Sequence, residues 1–308
     1  MNVRLSRQHF ALYAWFTLAY NVLVILWGAL VRATGSGAGC GAHWPSCQGQ
    51  LIPTSSPLST WIEFAHRASS GVALVFVLGL FVWAMLAFRR GHVVRRCAAW
   101  SLAFVLSEAA VGAGLVLFGL VAHNSSVTRA VVIALHLVNT FLLLGALTLS
   151  ARWASGAPCV EARRDVQSKN WAVVLTLGLF VVGASGAVTA LGDTLFPMAE
   201  MERFAQLGLG NHFLVQLRVW HPVLAVALGA LVLVAALNVS RERPEARRLA
   251  RLLAGVFLAQ LGLGAFNIAL KAPLWMQALH LLFADLVWIV FVLFAASLLA
   301  FPSKTRRT

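Results

Sequence analysis

Charge is scarce in this chain. Asp, Glu, Lys and Arg make up 11% of its 308 residues, less than half the roughly 25% of an ordinary soluble domain. Acid is scarcer still, with ten Asp and Glu against 24 Lys and Arg. With 60% of residues hydrophobic and a mean hydropathy of +0.83, a cytosolic enzyme and a disordered chain are both excluded. Four cysteines are too few for a secreted disulfide scaffold. What remains is an all-α integral membrane protein. The net charge of +14 would suggest nucleic acid, but the basic residues fall between apolar runs, where a membrane protein keeps its cytoplasmic charge. Membrane lipid is therefore the expected surrounding, and no nucleic-acid partner is expected.

A spanning helix needs about 20 apolar residues at a rise of 1.5 Å each. Eight segments qualify, at 10–32, 62–88, 97–121, 129–150, 171–191, 217–239, 250–270 and 275–300. The first is too long for a signal-peptide core of about 7–15 residues and reads as a retained helix.

The basic residues orient the chain. On the side expected to be cytoplasmic lie Arg4, Arg7, Arg89, Arg90, Arg95, Arg96, Arg152, Arg163, Arg164, Lys169, Arg241, Arg243, Arg247, Arg248, Arg251, Lys304, Arg306 and Arg307. The other side and its helix ends hold Arg32, Arg67, Arg129, Arg203, Arg218 and Lys271. This asymmetry predicts both termini in the cytoplasm of a bacterial-type plasma membrane. It also predicts an N-terminal four-helix half over 1–150, a cytoplasmic linker over 151–170, and a C-terminal four-helix half over 171–308.

The halves read as a repeat. An offset of 155 takes Gly28, Thr34 and His66 to Gly183, Thr189 and His221; 152 takes Glu108 and Gly112 to Gln260 and Gly264; 144 takes His136 to His280. Two similar units predict two similar sites related by pseudo-symmetry. His66, His136, His221 and His280 fall on the even-numbered helices, four to seven residues past each predicted start. Imidazoles at matched depth on neighbouring helices can hold a planar porphyrin between them as axial iron ligands, and an apolar bundle solvates the macrocycle. A lone intramembrane histidine is better read as a hydrogen-bonded packing residue. Four at matched depth point to two haem sites. Zinc or copper is a weaker rival, because no carboxylate or thiolate completes a tetrahedral set in the second half.

Glu63 lies three residues before His66, on the same helix face, where it could accept a proton or stabilise developing charge; the bland alternative is an interfacial acid paired with Arg67. The equivalent position in the second half is Arg218, so the two sites are chemically unequal. Arg67 and Arg218 are candidate partners for haem propionates. Glu108 and Asp285 lie deeper, each a candidate for a proton path or an interhelical hydrogen bond. Cys40 and Cys47 share the first outer loop, where an oxidising compartment favours a disulfide; loop staple and redox-active pair both remain open. Cys97 and Cys159 are expected to be unpaired.

The stretch Gly28-Ala-Leu-Val-Arg-Ala-Thr-Gly-Ser-Gly-Ala-Gly-Cys40, the following Trp44-Pro45-Ser46-Cys47, and Trp61-Ile-Glu-Phe-Ala-His-Arg67 resemble the haem A synthase family. The resemblance implies an enzyme that oxidises the C8 methyl of haem O to a formyl group by successive hydroxylation. It implies substrate haem O between His66 and His136, catalytic Glu63, and a haem b cofactor between His221 and His280. It also implies a Cys40–Cys47 disulfide and partnership with haem O synthase or terminal-oxidase assembly, and leaves homo-oligomerisation open. The chain departs from the pattern in three places: no cysteine lies in 192–216, Pro222 follows His221 where Arg67 follows His66, and Glu108 stands where glutamine is expected. The competing readings are a two-haem cytochrome that only passes electrons from a quinol, and, more distantly, a parallel-repeat transporter.

Overall fold

The computed structural model describes residues 3–54, 57–159, 166–200, 212–242 and 246–300. Of the basic residues named above, Arg163, Arg164, Arg203, Arg243, Lys304, Arg306 and Arg307 lie outside the described residues. Among the described residues the regular elements are helices, joined by turns, with an isolated bridge between Cys47 and Gln50 in the first long loop.

Eight helices are long and apolar enough to cross a membrane. They are α1 (Val3–Ala33), α2 (Leu58–Ala87), α3 (Val93–Leu117), α4 (Val127–Ala154), α5 (Val166–Leu195), α6 (Trp220–Glu242), α7 (Arg247–Ala269) and α8 (Leu274–Leu298). A short helical lead-in, Phe213–Gln216, and a 3₁₀ turn, Leu217–Val219, precede α6. Each expected span is present, and most begin several residues early because their polar or basic end turns still complete helical hydrogen bonds. α4 continues to Ala154 and α5 begins at Val166, so both ends of the expected 151–170 linker are helix.

The boundaries have local causes. Ser126 caps α4 by accepting the backbone N–H of Arg129 at 3.2 Å, satisfying one of the first-turn donors that have no intrahelical acceptor. Gly156, at φ +86°, ends the turn after α4 in a conformation that glycine adopts without strain. Pro222 falls in the first turn of α6, where its missing N–H leaves no hydrogen bond broken. Within the spans, Thr17, Thr148 and Thr176 return their hydroxyls to the carbonyls four residues back, so these three side chains satisfy themselves within their own helices.

α1 packs on α2 and α4, and α3 on α2 and α4; α5 packs on α6, α6 on α7, and α7 on α8. α4 lies against α5 and α8, and α1 against α8, so the first four helices and the last four share a core. At its centre Phe141 of α4 stacks on Trp288 of α8, with ring centroids 5.0 Å apart and planes 9° apart. Trp288 donates its indole N–H to the Phe141 carbonyl, and Phe180 of α5 packs on the same indole. Gly145 of α4 faces the same indole, where a Cβ would make ordinary van der Waals contact at 3.5 Å from Nε1.

Candidate functional site

The ends of α1, α3, α5 and α7 and the starts of α2, α4, α6 and α8 share one end of the bundle, which also carries the Cys40–Cys47 loop. All four expected histidines lie within about three turns of this disulfide end.

The rings of His221 (α6) and His280 (α8) face each other with centroids 6.4 Å apart and planes at 90°. Two imidazoles bound through one nitrogen each to a shared metal, at about 2 Å, would have centroids about 6.3 Å apart. The pair therefore fits axial ligation of a haem iron. Ser185 Oγ lies 3.1 Å from His221 Nδ1, which orients the ring and leaves Nε2 for a metal. Gln260 Nε2 lies 3.2 Å from His280 Nε2, while the buried Nδ1 of His280 has no partner among the described residues. No cluster of three or more His, Cys, Asp or Glu among the described residues could hold a bare ion. Two imidazoles suit a metal whose other four ligands come from a macrocycle.

In the first half, His66 (α2) and His136 (α4) are within electrostatic range of each other. His136 Nδ1 lies 2.7 Å from Glu108 Oε2 on α3. The other Glu108 oxygen accepts from Asn139 Nδ2 at 2.7 Å and from the Thr140 hydroxyl at 3.0 Å. Asn139 is held in turn by Ser107 and by the Phe104 carbonyl. Of the two roles open to Glu108, an interhelical hydrogen bond is the one present, and it ends on a candidate metal ligand. His66 Nδ1 is buried and has no partner among the described residues.

Glycines frame three of the four rings. A Cβ on Gly28 would sit 3.0 Å from His66 Cε1, one on Gly186 2.9 Å from His221 Cε1, and one on Gly264 3.2 Å from His280 Cε1. The counterpart of Gly28 by contact is thus Gly186, not Gly183 as the constant offset expects. Gly183 packs on Phe141 and Leu137 instead, because α5 meets His221 one turn further along its length. Gly112, aligned with Gly264, has nothing within 4 Å.

Glu63 is 3% exposed. It accepts the backbone N–H of Cys40 at 2.8 Å and the Arg67 guanidinium, whose Nε is 3.1 Å from Oε1. Arg67 also donates to the carbonyls of His43 and Ser46. Cys40 and Cys47 are disulfide-bonded and both buried. Gly39 lets this loop sit on α2, for a Cβ there would lie 2.6 Å from the Ser59 carbonyl oxygen. The carboxylate thus fastens loop and helix together, and the expected Glu63–Arg67 pairing is present. Cys97 and Cys159 are unpaired.

Arg218, at the place of Glu63 in the second half, pairs through Nε with Asp193 Oδ1 at 3.0 Å and donates to the carbonyls of Gly192 and Phe196. Both arginines expected beside propionates therefore have protein carboxylate partners. Asp193 lies beyond the expected end of the fifth span, in its last helical turn, and sequence reasoning missed it as the partner of Arg218. Ser185, Asn139 and the ring-facing Gly186 carry no motif of their own and emerge only from packing. Asp285 is fully buried, with neither oxygen partnered among the described residues.

A family model described as cytochrome oxidase assembly protein, COX15-CtaA, matches residues 11–292. A protein of Thermus thermophilus named protoheme IX farnesyltransferase is 52% identical over 296 residues, which are 95% of this chain and 49% of that protein. A heme A synthase of Exiguobacterium sibiricum is 32% identical over 194 residues, 63% of this chain and 62% of that protein. One from another Exiguobacterium strain is 29% identical over 279 residues, 88% and 87% of the two chains. The chain thus spans about half the length of its Thermus relative.

Proposed function

From the premise that this chain belongs to the COX15-CtaA family of cytochrome oxidase assembly proteins, we propose that it is a haem A synthase oxidising the C8 methyl of haem O to a formyl group. The match to this family and the likeness to heme A synthases support a role in haem A formation for a multi-pass membrane enzyme. The finer reading rests on the perpendicular His221–His280 pair at 6.4 Å, with a second histidine pair at the same end of the bundle. His221 and His280 would hold a haem b, which supplies one-electron transfer when bound. His66 and His136 would hold the substrate.

Glu63 is the candidate catalytic residue. Arg67 and the Cys40 amide fix its carboxylate, where it can stabilise positive charge developing at the methyl carbon as electrons leave and accept the protons released as each C–H bond gives way to a C–O bond. Two successive hydroxylations give a gem-diol that loses water to the aldehyde. Each removes two electrons, so an acceptor or oxidant must couple to the site. Glu108 orients His136 through Nδ1 and leaves Nε2 for the substrate iron. The halves act as a pseudo-symmetric pair, 1–150 reactive and 171–308 supporting. The disulfide end faces the oxidising outer side, and both termini face the cytoplasm of a bacterial-type plasma membrane.

The Thermus relative, about twice the length of this chain, is named for farnesyl transfer to protoheme IX. Farnesylation of haem is the kind of reaction that would supply haem O. We therefore extend the proposal to a partner enzyme of that class, acting next to this chain.

Expression in a host that makes haem O but no haem A tests the reading, with pigments extracted and analysed by mass. Haem A is the expected product. If neither haem A nor a hydroxylated intermediate forms while two b-type haems co-purify, the chain is an electron-transfer cytochrome. Gly186→Ala checks the second site separately. A methyl 2.9 Å from His221 Cε1 must displace the ring, so haem affinity should fall about 10-fold or more, on the scale of losing an outer-shell partner. An unchanged low-spin spectrum and affinity would count against His221 as a ligand.

A further inference from the structure

We infer that Arg32 and Arg129 form a carboxylate-binding site at the seam between the first four helices and the last four, taking the propionates of the porphyrin held by His66 and His136. This rests on the substrate assignment proposed for the first half.

At the disulfide end, Ala130 of α4 is buried with Leu191 of α5, Phe196 and Leu214 in a small apolar cluster. Charged side chains surround this seam. Arg32 of α1 reaches across to α5 and α8, donating to the Ala190 carbonyl, to Thr194 Oγ1 and to Gln277 Oε1. Arg129 of α4, only 4% exposed, donates through Nη1 to the carbonyls of Ala122 and Asn124, each at 2.7 Å. Its Nε is buried and has no partner among the described residues. Arg32 is within electrostatic range of both Arg129 and Asp193, and Asp193 pairs with Arg218.

Arg32 and Arg129 therefore hold neighbouring positive charges on neutral oxygens, with no carboxylate in ion-pair contact among the described residues. Like charges held close together away from bulk water are costly, and an anion placed between them lowers that cost. Arg129 also sits in the first turn of α4, where the helix dipole disfavours a cation and favours an anion nearby.

Register ties the anion to the first histidine pair. Arg129 and His136 are seven residues apart on α4, so they share a face and lie about 10 Å apart along the axis. Arg32 stands one turn beyond Gly28, the glycine against the His66 ring. Both residues thus lie on the disulfide-end side of the His66–His136 pair, Arg129 on the face of α4 that carries His136 and Arg32 one turn beyond the glycine against His66, its guanidinium turned to the seam. A porphyrin presents two carboxylates from one edge of its ring, and two arginines on the same side of the histidine pair can each serve one of them. Arg67 and Arg218, the sequence candidates, already have Glu63 and Asp193.

The test uses detergent-purified full-length protein carrying haem at the second pair, titrated with iron protoporphyrin IX and with its dimethyl ester. The Soret band follows occupancy of the first pair. Wild type should bind the free acid about 10–100-fold more tightly than the diester, the range expected for charge-assisted hydrogen bonds. Arg32→Gln and Arg129→Gln should each lose most of that preference while diester affinity stays put, and Arg129→Lys should restore part of it. Equal binding of acid and diester by wild type overturns the inference, as does an equal loss of both by the variants. If neither porphyrin binds the first pair at all, the substrate assignment fails and takes the inference with it. The same protein is melted with phosphatidylglycerol vesicles and with inorganic phosphate. If the variants lose a phosphatidylglycerol- or phosphate-dependent stabilisation but bind both porphyrins as wild type does, the site belongs to a phosphate group and the propionate assignment is wrong.

Discussion

Glu63→Gln should lower haem A formation by at least about 100-fold, the lower range for removing a positioned acid or base, while the haem between His221 and His280 keeps its spectrum. The substitution conserves size but removes the charge that Arg67 and the Cys40 amide hold in place. Glutamine can still accept one of those hydrogen bonds, so the loop stays seated and the loss is one of proton handling. Because Glu63 also fastens the disulfide loop to α2, unfolding is the competing explanation. A melting temperature within a few degrees of wild type, together with the intact second-site spectrum, separates the two. Retention of more than about a tenth of wild-type conversion would assign the carboxylate a purely structural role, since proton transfer by a positioned group contributes at least about 100-fold.

The second large effect concerns haem content. His280→Ala should strip the purified protein of its resident haem, with an affinity loss beyond the roughly 10–100-fold that removal of an outer-shell partner costs. The perpendicular rings 6.4 Å apart leave a single nitrogen donor once one is gone, and Gln260 of α7 is too far from an iron bond in chemistry, if not in space, to replace it. His66→Ala should leave the resident haem in place and abolish conversion. If His280→Ala retains a low-spin haem and His66→Ala loses it, the substrate and cofactor halves are exchanged.

Eight spans, the even-helix histidines and the Cys40–Cys47 pair were legible because each is written locally: apolar length, one polar residue in an apolar run, two cysteines in one loop. The offset of His66 to His221 survives as common depth at one end of the bundle. The Gly28 offset does not survive as contact, since ring packing depends on how far α5 slides along α6, which no spacing encodes. The arginines show the same limit. Sequence could place Arg67 and Arg218 near the surface, but not show that Glu63 and Asp193 already neutralise them. Asp193 was hidden by a span drawn a few residues short. Arg32 and Arg129 were visible only as outer-side cations, because their shared seam exists only once α1, α4 and α5 are packed.

On the proposed function, the depth of the histidines determines where redox traffic enters. From His66 to the far end of α2 there remain about 30 Å of helix, packed into a core of residues such as Leu80, Leu144, Phe291 and Phe294. That layer is an electrical insulator. Oxidising equivalents, protons and the product aldehyde must all be exchanged on the disulfide side or sideways through the leaflet beside it. A redox protein docked on the opposite face would be wired to nothing.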